Sequence, residues 1–240
     1  MNKIYPKFKR VNRVKYKHLQ RMLFLTDHQL SRVPTTMIKP FPLILFLSLS
    51  LSAQTAPLPH TWHKGCPTPI KNLRYLKIPY WGFDKKPHLG ELIVHQALAK
   101  EVVQIFHLLY VQKFPIERME LMDAFKGNDE ASMMANNTSA FNCRALTRHP
   151  GIYSQHSYGR AIDINPRINP YVDGKKILPT NGLRFSHRQA FYPGMITKNS
   201  WIYRVFTSRG WDWAGNWYDV QDYQHFEKRA NAKKRNPYGY

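Results

Sequence analysis

Cysteine, glycine and acidic side chains are scarce in this chain. Of its 240 residues, 2 are Cys, 12 are Gly, and 15 are Asp or Glu, against 36 Lys or Arg. The two cysteines, Cys66 and Cys143, lack the spacing of a zinc knuckle. They leave two alternatives open: a pair of buried thiols, or a disulfide worth on the order of 4 kcal/mol in the chain-entropy model. The acid deficit leaves a formal charge of +21, a field that draws a protein toward polyanions or anionic surfaces. No apolar run approaches the roughly 20 residues that a membrane-spanning helix needs, and no internal repeat is visible.

What is present is the composition of a folded globular protein: 43% apolar residues, with 13 Phe, 14 Tyr and 6 Trp. The length suits one well-buried domain. The basic charge is unevenly placed. Residues 1–36 carry Lys3, Lys7, Lys9, Arg10, Arg13, Lys15, Lys17, Arg21 and Arg32 against Asp27 alone. Residues 37–56 then run from Met37 and Lys39 through a leucine-rich stretch to Ser52 and Ala53, the layout of a secretory signal peptide. The expectation is an exported protein, in the periplasm or cell envelope, whose translation begins at Met37, residues 1–36 then being an extension that is not translated; the alternative is a basic cytoplasmic tail on an uncleaved anchor. The expected division is a linker over 57–69, one domain over 70–230 and a solvated basic tail over 231–240. Export and scattered charge argue against nucleic acid as a partner, whereas association with an anionic envelope fits. A monomer is expected.

Along the domain, Leu73 to Phe83 alternates and is aromatic, predicting a strand. The spacing predicts a helix over 91–113, with Leu98, Val102, Ile105, Phe106 and Leu109 on one face. Residues 115–125 satisfy neither period, and 127–138 read as a polar surface loop. Short strands are expected at 139–144 and 160–165. In the second, Ile162 and Ile164 would be buried while Asp163 is aimed outward from the other face. A long irregular loop follows over 166–179, then a helix over 200–208 ended by Gly210, then a Trp-rich strand or hairpin over 211–225.

The stretch SQHSYGRAIDIN, residues 154–165, sets His156 and Asp163 on either side of Gly159. A catalytic zinc takes three protein ligands and keeps a fourth position open. His156 and Asp163 supply two, and His225 is the best third, because Asp222 lies three residues before it on what reads as a tight or helical turn. Asp222 suits a general base, and Arg144 suits stabilising an oxyanion or gripping a substrate carboxylate. Ser154 is a candidate substrate contact, or simply a turn residue ahead of His156. The other histidines read as surface or satisfied core residues.

Ser154, His156, Gly159, Ala161 and Asp163 in the pattern SxHxxGxAxD, followed by Asp222 and His225 in the pattern D/ExxH, resemble the zinc D-alanyl-D-alanine carboxypeptidases of the M15 family. That family also includes D,D-dipeptidases and phage L-alanyl-D-glutamate endopeptidases. The flanking SAFNCR, DINPRINPY and GWDWAGNW are similar to one bacterial branch, and the resemblance spans roughly residues 75–228. It implies a single compact α+β domain, Hedgehog/DD-peptidase-like, with a central antiparallel sheet flanked by helices. It also implies one Zn²⁺ held by His156, Asp163 and His225, with Asp222 as base, Arg144 on the oxyanion and a peptidoglycan or muropeptide substrate. Many carboxypeptidases and dipeptidases have glutamate where this chain has Asp222, and the shorter side chain resembles the endopeptidase branch. A third alternative keeps the metal in a non-catalytic peptidoglycan-binding module.

Overall fold

The computed structural model describes residues 58, 60–146, 149–230 and 233–235. The basic extension 1–36 and the signal-like segment 37–56 lie outside the described residues, as does most of the tail. Among the described residues, no helix is long and apolar enough to cross a membrane.

The first element is a long antiparallel hairpin, β1 (Leu73–Trp81) with β2 (Pro87–His95), in register from Leu73 opposite His95 to Trp81 opposite Pro87. Its turn is closed by the hydrogen bond from Gly82 N to Lys86 O at 2.8 Å. The first part of the expected 91–113 helix is therefore strand, and α1 runs only over Ala99–Val111. The cause is burial on both faces of β2. Leu92 and Val94 enter the main core, while Ile93 packs with Leu58, Leu73 and Phe141. An apolar run buried on both sides has no readable period, and it merges with the helix behind it. Of the expected stripe, Val102, Ile105, Phe106 and Leu109 are buried within α1, and Leu98 is buried in the turn just before it; Ala99 is buried as well.

Residues 127–138 are not a surface loop. Asn128 caps α2 (Asp129–Met134) by accepting from Ala131 N at 3.0 Å, and Ser132 and 136–138 are buried. These polar residues go inside because their amides replace backbone pairing. Asn137 accepts from Glu120 N at 2.8 Å and donates to Glu120 O at 3.1 Å. Residues 139–144 form no regular strand, yet they stitch sheets together: Ser139 and Asp163 exchange backbone bonds at 3.0 and 2.9 Å, and Phe141 N donates to Ile93 O.

The expected loop 166–179 contains a hairpin, β4 (Tyr171–Asp173) with β5 (Lys176–Leu178), turning at Gly174 with φ +57°. After α3 (Leu183–Ser186), the helix expected at 200–208 is α4 (Trp201–Thr207), capped by Ser200 and followed by Gly210 at φ +80°. The remaining strands are β3 (Ala161–Asp163), β6 (Asp212–Trp213), β7 (Gln221–Asp222) and β8 (His225–Glu227). They complete two three-stranded antiparallel sheets, ordered β3-β8-β6 and β5-β4-β7. The fold is α+β with antiparallel sheet, as expected, divided into three small sheets. Ile162, Phe226, Trp213 and Phe206 build the core beneath β3-β8-β6, with Phe206 and Phe226 stacked at 4.0 Å.

Cys66 and Cys143 are joined in a disulfide, their Cα atoms 5.9 Å apart. The segment before β1 packs onto the domain rather than trailing from it: Leu58, Thr61 and Thr68 are buried, and Cys143 N donates to Thr61 O.

Candidate metal centre and its cleft

Local geometry brings the first two residues of the site together. Ser154 caps a short 3-10 helix, Gln155–Tyr158, its Oγ accepting from His156 N at 3.3 Å. Gly159 ends the turn at φ +62°, where a Cβ would sit 2.6 Å from His95 N. The hydrogen bond from His95 N to Gly159 O (2.8 Å) then locks this turn onto the hairpin. β3 leaves the turn with Ile162 and Ile164 in the core and Asp163 on the opposite face. That face is covered rather than outward: Asp163 is 5% exposed.

The third residue arrives through sheet pairing. β8 lies antiparallel to β3 with His225 directly across from Asp163. Asp222 and His225 are not on one helical turn, as expected from their spacing; Asp222 ends β7 in one sheet and His225 begins β8 in the other. The change of sheet over Tyr223 and Gln224 still leaves both residues on the same cleft.

The polar atoms converge. Asp163 Oδ1 lies 2.9 Å from His225 Nδ1, Asp163 Oδ2 lies 3.1 Å from His156 Nε2, and the two ring nitrogens are 3.2 Å apart. The outer nitrogens are occupied as well: His156 Nδ1 faces Ala140 O at 2.5 Å, and His225 Nε2 faces Glu227 Oε2 at 3.2 Å. Burial by itself would raise the Asp163 carboxyl, but the His156 and His225 rings hold it far below the usual carboxylate range. Burial opposes charge on His225, yet Asp163 and Glu227 raise it well above an ordinary histidine. Two imidazole nitrogens and one ionised carboxylate are a donor set that suits a divalent metal, which would displace the proton held between them. A second cluster among the described residues, His63, Cys66 and Cys143, has both sulfurs spent in the disulfide.

The cleft over this centre has a cavity volume of about 80 Å³, and Ser154, Arg144 and Asp222 all line it. Asp222 Oδ1 is buried with no hydrogen-bond partner among the described residues. Burial pushes its carboxyl up to about 6, with His225 opposing and Asp163 adding to the rise. Arg144 reaches the cleft already engaged, Nη2 lying 2.9 Å from Asp129 Oδ2. Its backbone is pinned to the His156 turn, since Arg144 N donates to Ser157 Oγ at 2.9 Å and its carbonyl accepts from Ser154 N at 3.0 Å.

Sequence reading misses three cleft residues. Glu227 follows His225 by two positions on a strand, so alternation places both on one face; that signal is present in the sequence. Asp129, the partner of Arg144, is hidden inside the supposed loop. Arg235 falls in the supposed solvated tail, yet it is 5% exposed, paired through both Nη atoms with Asp219 at 2.8 and 2.7 Å, and stacked 4.1 Å over Trp217. The basic composition of the tail carries no information about one long-range acid partner.

A buried donor set thus lies beneath an open cleft, with one carboxylate oxygen of Asp222 left without a partner on its wall among the described residues. Residues 147–228 match the family model described as D-alanyl-D-alanine carboxypeptidase, and over that span the chain is similar to the M15 peptidases. The matched span holds Ser154, His156, Asp163, Asp222 and His225, and it excludes Arg144. No curated protein and no solved structure matches the chain.

Proposed function

We propose that this protein is an exported zinc metallopeptidase that hydrolyses amide bonds in peptidoglycan stem peptides, acting as a D-alanyl-D-alanine carboxypeptidase. The observation that carries the reading is the unsatisfied Asp222 Oδ1 on the same cleft as the His156–Asp163–His225 donor set. His156 Nε2, Asp163 and His225 Nδ1 would hold the zinc, which supplies Lewis acidity toward the scissile carbonyl and its attacking water. Asp222 accepts the proton of that water and returns it to the leaving amine; its raised carboxyl suits both halves of the transfer. The Arg144 guanidinium faces the negative charge of a substrate carboxylate or of the developing oxyanion. Ser154 holds the His156 turn and lines the cleft floor. The signal-like segment 37–56 supports export, and the disulfide fits an oxidising compartment.

A second reading, an L-alanyl-D-glutamate-type endopeptidase, is favoured by one observation: position 222 is aspartate, not the longer glutamate. Mass spectrometry of defined muropeptides decides between them, using the wild type, the chelated protein and His225→Ala. Release of a terminal D-Ala, lost with chelator, supports the carboxypeptidase; a cut between the first and second stem residues supports the endopeptidase. A zinc-loaded protein that cuts nothing at any pH would overturn both and leave a peptidoglycan-binding module.

A further inference from the structure

We propose that Glu227 is a positioning residue whose carboxylate, anchored by Arg229, holds the His225 ring with Nδ1 turned toward Asp163 and His156. The inference rests on the metal reading of the site and extends it to a residue outside the donor set. Strand alternation makes it geometrically natural. On β8, His225 and Glu227 share one face while Phe226 is buried in the core on the other. Glu227 stands between Ala161 on β3 and Asp212 on β6, and its carboxylate lies along the strand toward the ring.

The two carboxylate oxygens are divided between two partners. Oε2 lies 3.2 Å from His225 Nε2, and Oε1 lies 2.6 Å from Arg229 Nε. A carboxylate that is 2% exposed is costly to bury unless it is paired. Here the guanidinium offsets that cost, and the second oxygen is left to accept from the ring. A neutral imidazole has one N–H and one lone pair. An acceptor fixed at Nε2 therefore assigns the lone pair to Nδ1, the atom that faces the donor set. The other histidine is oriented differently: His156 Nδ1 meets the neutral carbonyl of Ala140. Of the two rings, His225 is the one with a charged acceptor behind it, which makes it the stronger donor. The pair also links the site to residues just past the strand, since Arg229 follows directly after Lys228.

The test is the zinc dissociation constant, measured by chelator competition on the purified protein, for wild type, Glu227→Gln and Glu227→Ala. Thermal unfolding of each metal-free protein is recorded alongside. Loss of a carboxylate behind a metal-binding histidine typically weakens metal affinity about 10- to 100-fold. The alanine variant is expected near the top of that range. The glutamine variant, which keeps an oxygen acceptor without the charge and is nearly isosteric, is expected nearer the bottom. Wild-type protein that binds no stoichiometric zinc would overturn the metal reading and this inference together. Tight wild-type binding left unchanged in both variants, whatever their unfolding temperatures, would overturn this inference alone and leave Glu227 as a strand-end ion pair.

Discussion

Asp163 and His225 stand directly opposite one another on antiparallel strands, with Oδ1 and Nδ1 2.9 Å apart, although they lie 62 positions apart in the chain. The contact is a cross-strand pair at one end of β3-β8, and it requires both strands to keep register. A slip of one residue would put Asp163 into the space now filled by Ile162. The candidate metal centre and the hydrophobic core are thus two faces of the same pairing.

Replacing His225 by alanine is expected to abolish stoichiometric zinc binding and peptidase activity together. Elemental analysis after dialysis, beside the muropeptide assay, checks this. Full zinc content in the variant would show that the ligands lie elsewhere.

Replacing Asp222 by asparagine is expected to cut turnover by about 10²- to 10⁴-fold while zinc stays bound, since a proton-transfer group is removed and no metal ligand is lost. The same variant has a stability signature in the metal-free protein. Burial raises the folded carboxyl from 3.8 to about 6, so the folded state holds this proton more tightly than the unfolded chain does. The wild type is therefore unpenalised below about pH 4 and progressively destabilised as pH rises through 6. An asparagine side chain cannot ionise and escapes that penalty. The melting temperature of the variant should exceed that of wild type at pH 7–8, by an amount equivalent to at most about 3 kcal/mol, and converge with it near pH 4. A constant difference across this range would contradict the assignment.

Gly159→Ala should destabilise the fold by roughly 1–3 kcal/mol, because the position combines a left-handed backbone with a close approach to His95 N. Calorimetry reads the loss directly. Because the same turn carries His156, zinc affinity should fall as well, whereas Gly174→Ala, with open space around its Cβ, should show only the backbone cost.

Reducing the Cys66–Cys143 bond, or replacing both residues with serine, should lower stability by on the order of 4 kcal/mol, given their sequence separation of 77. Denaturant unfolding with and without reductant measures it. The loss should appear as a lower midpoint, with zinc stoichiometry unchanged in the folded protein.

Much of the site is legible in the residues themselves. SxHxxGxAxD and DxxH contain the side chains that converge at the candidate site, and β alternation correctly separates Asp163 from Ile162 and Ile164. The errors lie where burial comes from elsewhere in the chain. Residues 91–95 read as helix because β2 is covered on both faces, which erases its period. Residues 127–138 read as loop because buried asparagines that replace backbone partners have the composition of solvated ones. Arg235 reads as tail because the partners that draw it inside, Asp219 and Trp217 among them, are met in three dimensions.

The candidate donor side chains, the turn at Gly159 and the inward alternation of β3 are readable from the chain alone, because each depends on neighbours within a few residues. Folding in three dimensions sets His225 opposite Asp163, brings Asp222 to the same cleft from a different sheet, and stands Glu227 and Asp129 behind His225 and Arg144. Those relationships depend on strand register and on long-range packing, where the free energy comes from burying surfaces that no local pattern brings together.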